Sequence, residues 1–288
     1  MATSVDDRPT AWWLATLERR RDHGDAGLGD GAIDLALPEV QEAAVRFFNA
    51  ALRAEESGQS QAHALADALS DVDAELARTL RLYGDEEGWH RELLIDFLAR
   101  LGGSIRPMGR VTRVLYKGYA RAKRMETIVL TNLMFETIGS TTYRMALRNV
   151  TQPTARRMLT ILTRDEAFHV PLNVHFLRRV LDGKSQRERR RLRLVYWLLF
   201  ASLLALPLAS RPKAARFDGL SVLDLSRGYG RELARVFSAA PDLELPPPWW
   251  LLALIGVSRQ DADRGVSPTT ATAAERAAER EHVAVHTL

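Results

Sequence analysis

The chain has 288 residues, 46% of them hydrophobic and 26% charged, enough to bury a core in one large domain or two small ones. It contains no cysteine, which excludes disulfides, thiolate catalysis, zinc–cysteine sites and Cys-held iron–sulfur clusters, and leaves histidine and carboxylates as the metal ligands on offer. The net charge of +4 comes from arginine, four lysines standing against thirty-six arginines, and these are spread along the chain rather than gathered with aromatics in one patch, so nucleic acid is not the expected partner.

Residues 1–37 carry acids where a secretion signal needs basic residues and have no adequate apolar run, which makes the cytoplasm the expected compartment, with room for a short helix. From Pro38 the pattern turns helical, with Val40, Ala44, Phe47, Phe48, Ala51 and Leu52 on one face. A second helix is expected over Asp71–Leu101, stopped by Gly102 and Gly103, and a third over Ala122–Asn149. A fourth, Pro153–Leu181, ends before Asp182-Gly183 and carries an internal Pro171 that should kink it. No stretch alternates with period two, so the fold class is all-α.

Residues 184–259 form an apolar and basic C-terminal extension. A basic run to Arg193 precedes Leu194–Ser210, seventeen uncharged residues interrupted by Pro207. The segment reads as a buried fifth helix; peripheral contact with a membrane surface, with residues 246–257 as a second apolar element, is the alternative, and a true span the third. The tail from 260 to 288 has no core pattern and is expected to be mobile.

Two short stretches, Asp85-Glu86-Glu87-Gly88-Trp89-His90 and Arg164-Asp165-Glu166-Ala167-Phe168-His169, repeat one plan. Aligning Glu87 with Glu166 also pairs Leu80 with Leu159, Leu93 with Leu172, Phe97 with Phe176 and Arg100 with Arg179. The first and third helices match in turn through Leu52 with Leu133, Glu55 with Glu136 and Gly58 with Gly139. The sequence therefore reads as two helix hairpins of one design.

Residues three apart share a helix face, so Glu87 with His90, and Glu166 with His169, can each offer a carboxylate and an imidazole to one ion. Spacing alone is cheap, since Glu279 and His282 in the polar tail have it too. The bundle pairs differ in occupying equivalent positions of a duplicated hairpin, each with an acid one residue earlier and a glutamate on the preceding helix, Glu55 and Glu136. Glu55 is preferred to Glu56 because Leu52, Ala51 and Phe48 lie on its face. Four carboxylates and two imidazoles in a core are too costly as bare charges and become affordable with two divalent cations, iron or manganese suiting the mixed oxygen and nitrogen set. Glu86 and Asp165 are candidate acceptors for the second ring N–H of the histidines, which requires them to reach across the bundle.

On these motifs the sequence resembles the ferritin-like di-iron carboxylate superfamily, over roughly residues 38–183. The resemblance implies a four-helix bundle in which Glu55 with His90, and Glu136 with His169, are terminal ligands of two metals bridged by Glu87 and Glu166. It implies two iron ions, with an iron–manganese or manganese pair as variants. The duplicated acidic-Glu-x-x-His form is similar to the oxygenase and desaturase branches, whose chemistry would be dioxygen activation and oxidation of an apolar or carrier-bound organic substrate, with a separate electron donor. The position one turn before Glu166 is Leu162, where the arylamine N-oxygenases carry histidine, and this argues against that substrate class. The alternative within the same superfamily is an iron- or peroxide-handling oxidase without an organic substrate. His175 lies on the far side of its helix from Glu166, and Trp89, Phe168, Tyr83 and Tyr143 read as core. A homodimer is the expected assembly.

Overall fold

A computed structural model of the chain describes residues 8–21, 28, 33–35, 37–107, 113 and 122–264. Its elements are helices α1 (Thr10–Arg20), α2 (Pro38–Leu69), α3 (Ala74–Arg100), α4 (Met125–Ala146), α5 (Pro153–Leu181), α6 (Gln186–Asp218), α7 (Val222–Ala239), α8 (Trp249–Leu254) and α9 (Arg259–Arg264), with a 3-10 turn at Pro241–Leu243. No strand occurs among the described residues.

The boundaries follow local chemistry. Pro38 and Pro153 occupy first-turn positions, where a missing N–H costs nothing. The Asp73 side chain accepts the Leu76 N–H at the start of α3, so this helix begins three residues later than its apolar pattern predicts. Ser185 with Glu188, and Ser221 with Asp224, form reciprocal capping boxes at α6 and α7. Gly219, at φ 69°, closes α6 in the left-handed conformation that other residues adopt only with strain.

Two hairpins result: α2 packs along α3 and α4 along α5, and the pairs meet through α2–α4 and α3–α5 contacts. Their apolar side chains gather into two cores at opposite ends. One holds Phe48, Leu52, Phe97, Leu98, Leu147 and Leu159; the other holds Leu65, Leu76, Leu80, Leu130, Leu133 and Phe176. The layer between them, half-way along all four helices, is charged.

The extension differs from the sequence expectation. α6 is a helix of 33 residues that continues through Pro207. Proline removes one backbone donor but need not end a helix whose flanks are held by packing, and here Leu203, Leu204 and Pro207 itself are buried. α6 packs on α2 and α4, α7 on α4 and α6, and α1 lies on α3. At 260–264, within the expected tail, the chain is helical; the rest of that tail lies outside the described residues.

Candidate metal centre

Each hairpin delivers one glutamate from its first helix and a Glu-x-x-His pair from its second. Glu55, Glu87, His90, Glu136, Glu166 and His169 are all buried in the middle layer. Glu56, the rejected neighbour of Glu55, is half-buried and pairs with Arg53.

The donor atoms fall into two sets. In one, Glu55, Glu87, His90 and Glu166 each place one ligand atom within 4.8 Å of the others; in the second, Glu87, Glu136, Glu166 and His169 do the same. Glu87 and Glu166 belong to both. Each imidazole turns Nδ1 inward: His90 Nδ1 lies 3.3 Å from Glu55 Oε2, and His169 Nδ1 lies 2.9 Å from Glu87 Oε1 and 3.4 Å from Glu136 Oε2. The outer nitrogens reach across the bundle, His90 Nε2 to Asp165 Oδ2 at 3.1 Å and His169 Nε2 to Glu86 Oε2 at 3.0 Å. The acid preceding each Glu-x-x-His therefore orients the histidine of the other hairpin.

Four contributors were missed in the sequence pattern. Arg20 at the end of α1 joins the two outer acids, with Nε 2.9 Å from Glu86 Oε1 and Nη2 2.7 Å from Asp165 Oδ1, and its guanidinium lies 4.3 Å from the Phe168 ring centroid. Arg164 adds a second guanidinium on Asp165 at 2.8 Å. Tyr83 donates to Glu136 at 2.6 Å and Tyr143 to Glu55 at 3.2 Å, so two side chains read as core each hold a carboxylate. The helical register could have found the tyrosines, since Tyr83 precedes Glu87 by one turn and Tyr143 follows Glu136 by two. Nothing local marks Arg20.

The electrostatics decide whether this cluster fits cations. Burial works against a charged His90, but its hydrogen bonds to Asp165 and Glu55 prevail and raise its pKa to about 10. His169 is raised for the same kind of reason, by Glu87, Glu136, Glu166 and Glu86 against burial. Burial pushes Glu87 and Glu166 well above the carboxylate range, and the charges of Glu136 and Glu55 add to it. Glu136 goes the other way, to about 2, since Glu166 and the positive charge of the nearby His169 outweigh its burial. The protein thus neutralises itself with protons on the two imidazoles and the two shared carboxylates, assisted by Arg20 and Arg164. Two divalent cations carry the same charge as those four protons.

A second observation points the same way. Glu87 Oε1, Glu136 Oε2 and His169 Nδ1 are buried without a hydrogen-bond partner, although the two oxygens lie 2.9 and 3.4 Å from that nitrogen. Buried lone pairs left unmatched cost free energy, and polar atoms this close without hydrogen-bond geometry are aimed at a common point rather than at each other. The donor set, oxygen-rich with one imidazole per group, suits iron or manganese.

A small cavity, ≈ 40 Å³, opens on this layer between α2 and α4, and Glu55, Glu87, Glu136 and Glu166 line it. Its walls combine Ala54, Phe135 and Tyr143 with the polar Ser57, Gln61 and Asn132. Gly58 and Gly139, matched by the repeat, both line it. A Cβ on Gly58 would come within 2.7 Å of Glu87 Oε2, so at this position the absence of a side chain makes room for a shared carboxylate.

His175 stands apart from the cluster, hydrogen-bonded to Thr10 at 3.0 Å, and burial with the nearby Arg179 lowers its pKa to about 4. Phe168 is buried between α1 and α5 against Trp13, while Trp89 is half-buried with its ring 5.3 Å from that of His90. Compared with protein-family models, with curated proteins and with solved structures, the chain has no match in any of the three, so the functional reading rests on this geometry.

Proposed function

We propose that the chain is a non-haem di-metal oxidoreductase, ferritin-like in plan, that activates dioxygen at two iron ions and oxidises an organic substrate lodged between α2 and α4. The observation that carries the reading is the pair of four-residue donor sets sharing Glu87 and Glu166 beneath a cavity. Glu55 and His90 would hold one ion, Glu136 and His169 the other, and the shared carboxylates both. The ions, when bound, supply the redox chemistry and a site for dioxygen. The chain's own residues do the rest. Asp165 and Glu86 fix which imidazole nitrogen faces inward. Tyr83 and Tyr143 hold Glu136 and Glu55 in place and are the O–H groups nearest the donors. The two apolar cores exclude water above and below, and the glycine-lined cavity orients what enters it.

On this reading the cavity is the entry point of an organic substrate, simple iron or peroxide handling being the alternative. Its lining is apolar on Phe135 and Ala54 and offers amides at Gln61 and Asn132, so the fitting substrate is a small, largely apolar molecule with one hydrogen-bonding group. The electrons come from a separate donor.

The test is anaerobic loading with ferrous iron, followed by elemental analysis of the wild-type chain and of Glu87→Gln combined with Glu166→Gln. The expected result is about two irons per wild-type chain and none in the variant. Loaded protein should then consume dioxygen faster with an electron donor and a small apolar substrate than with ferrous iron alone. Absence of stoichiometric metal, or metal retained in the variant, overturns the reading; dioxygen consumption that tracks only added ferrous iron transfers it to an iron oxidase.

A further inference from the structure

The molecule carries a surface that the metal layer does not explain. Along α6, Leu194, Leu198, Ala201, Ala205 and Leu208 recur every three or four residues and all are exposed, Leu198 at 74% and Leu208 at 66%. Trp197 flanks the stripe at 42% exposure. The opposite face of α6 is buried, with Leu192, Tyr196, Phe200 and Leu203 packed into the core. α8 is seated beside it, since Leu204 of α6 and Leu252 of α8 close over the same Gly230, and α8 exposes Trp250 at 66% and Leu254 at 75%. Exposed apolar faces of this size on two neighbouring helices are of the kind that marks an interaction site.

Charge selects the occupant. One turn before the stripe, in the same register, stand the exposed Arg187, Arg190 and Arg191, which make no ion pair among the described residues. Beyond its other end the sequence continues with Arg211, Lys213 and Arg216, and no acidic residue occurs between Glu188 and Asp218. A second copy of the chain laid on this stripe would bring basic end against basic end whether the helices ran parallel or antiparallel, and like charges so placed repel. A membrane-spanning placement would strip the buried face from its core: 39% of the most apolar window of α6 is buried inside the protein. A bilayer surface with anionic headgroups satisfies both constraints. The uncharged stripe, about 21 Å long by helical rise, enters the acyl boundary, the two tryptophans sit at headgroup depth, and the exposed Arg187, Arg190, Arg191 and Arg216 meet phosphates.

We infer that α6 and α8 together form an in-plane docking face for an anionic lipid bilayer, holding the protein on the membrane without crossing it. The inference is independent of the metal reading, since none of its residues lies in the charged layer.

The experiment is flotation of the full chain with vesicles of phosphatidylcholine alone or mixed with phosphatidylglycerol, at low and high salt. Wild type should float with the anionic vesicles, lose that association in high salt, and stay behind with phosphatidylcholine. Three arginine-to-alanine changes at Arg187, Arg190 and Arg191 should lower partitioning about a hundredfold, at about fivefold per phosphate-facing charge. Leu198→Glu with Leu208→Glu should abolish it, both positions being exposed and their replacement leaving the thermal melt unchanged. Failure of the wild-type chain to float overturns the inference. So does a dimer in light scattering that Leu198→Glu converts to monomer while vesicles remain unbound, which assigns the stripe to a second copy. Association with both vesicle types that resists high salt and carbonate also overturns it, in favour of a membrane span.

Discussion

The protein buries acidic side chains in two places, and the contrast shows what a buried acid needs. On α7, Glu232 is 5% exposed and meets Arg144 at 2.9 Å and Arg235 at 2.8 Å, so a single carboxylate faces two guanidiniums. Burial alone would raise its pKa; the two arginines win and hold it at about 2. In the middle layer of α2–α5, six carboxylates face two imidazoles and two arginines, and three donor atoms remain unmatched. The first arrangement has its carboxylate charge balanced as it stands, with only Arg144 Nε unmatched. The second is complete only with added positive charge, and that deficit is the physical content of calling it a site.

The sharpest way to break the contrast is to compare the two regions with and without metal. A saturating divalent ion that binds only the folded chain stabilises it by about 4 kcal/mol at a thousandfold excess over its dissociation constant. Ferrous or manganous ion should therefore raise the melting temperature of the wild-type chain and leave Glu87→Gln with Glu166→Gln unmoved. In the metal-free state the double variant should be at least as stable as wild type, because it replaces carboxylates that burial already keeps protonated. Calorimetry showing the variant strongly destabilised without metal would mean that the shared acids are structural.

Glu232 should behave in the opposite way. Glu232→Ala leaves Arg144, whose side chain is 12% exposed, without its carboxylate, and the expected cost is about 3 kcal/mol in denaturant unfolding with metal stoichiometry unchanged. The pH dependence follows in sign. A carboxylate with a depressed folded pKa stabilises above its unfolded value of 4.5 and loses that contribution as pH falls through about 2. Acid unfolding of the wild type should steepen across this window, and the variant should lack that share of the slope.

The repeat made the convergence of Glu55, Glu87, His90, Glu136, Glu166 and His169 legible, because equivalent faces of two hairpins must meet when the hairpins pack. The crossing of Glu86 to His169 and of Asp165 to His90 was legible as a requirement of ligand orientation. Arg20 was hidden for a physical reason. It lies 66 residues from Glu86 and 145 from Asp165, on a helix with no counterpart in the repeat, and no local spacing can report a contact made by docking α1 on α3. The reach of α6 was hidden by Pro207, since a residue that weakens a helix in isolation is tolerated where tertiary packing holds both sides of it.

Arg20 supplies the next test. It joins the acids behind both histidines and fills neither donor set, so Arg20→Ala should lower metal affinity by roughly ten- to a hundredfold, as removal of outer partners of metal-bound histidines does, without changing the stoichiometry at saturation. An unchanged affinity would show that Arg164 and the backbone of α3 and α5 already fix the outer acids.

The smallest expected effect separates the two hairpins from each other. Gly58 and Gly139 are equivalent in sequence and both line the cavity, yet a Cβ on Gly58 would lie 2.7 Å from Glu87 Oε2, while one on Gly139 would touch only Tyr143 Cε2 at an ordinary 3.8 Å. Alanine gains about 1 kcal/mol over glycine within a helix. Gly139→Ala should keep that gain and bind metal as wild type does. In Gly58→Ala the gain is offset by displacement of the shared carboxylate, so stability should change by less than about 1 kcal/mol while metal affinity falls. Equal behaviour of the two variants would mean that Glu87 swings aside freely and that the glycine spaces α2 from α3 rather than making room for a ligand. Unequal behaviour ties the repeat's symmetry to different duties on its two halves, one glycine serving the metals and the other the cavity alone.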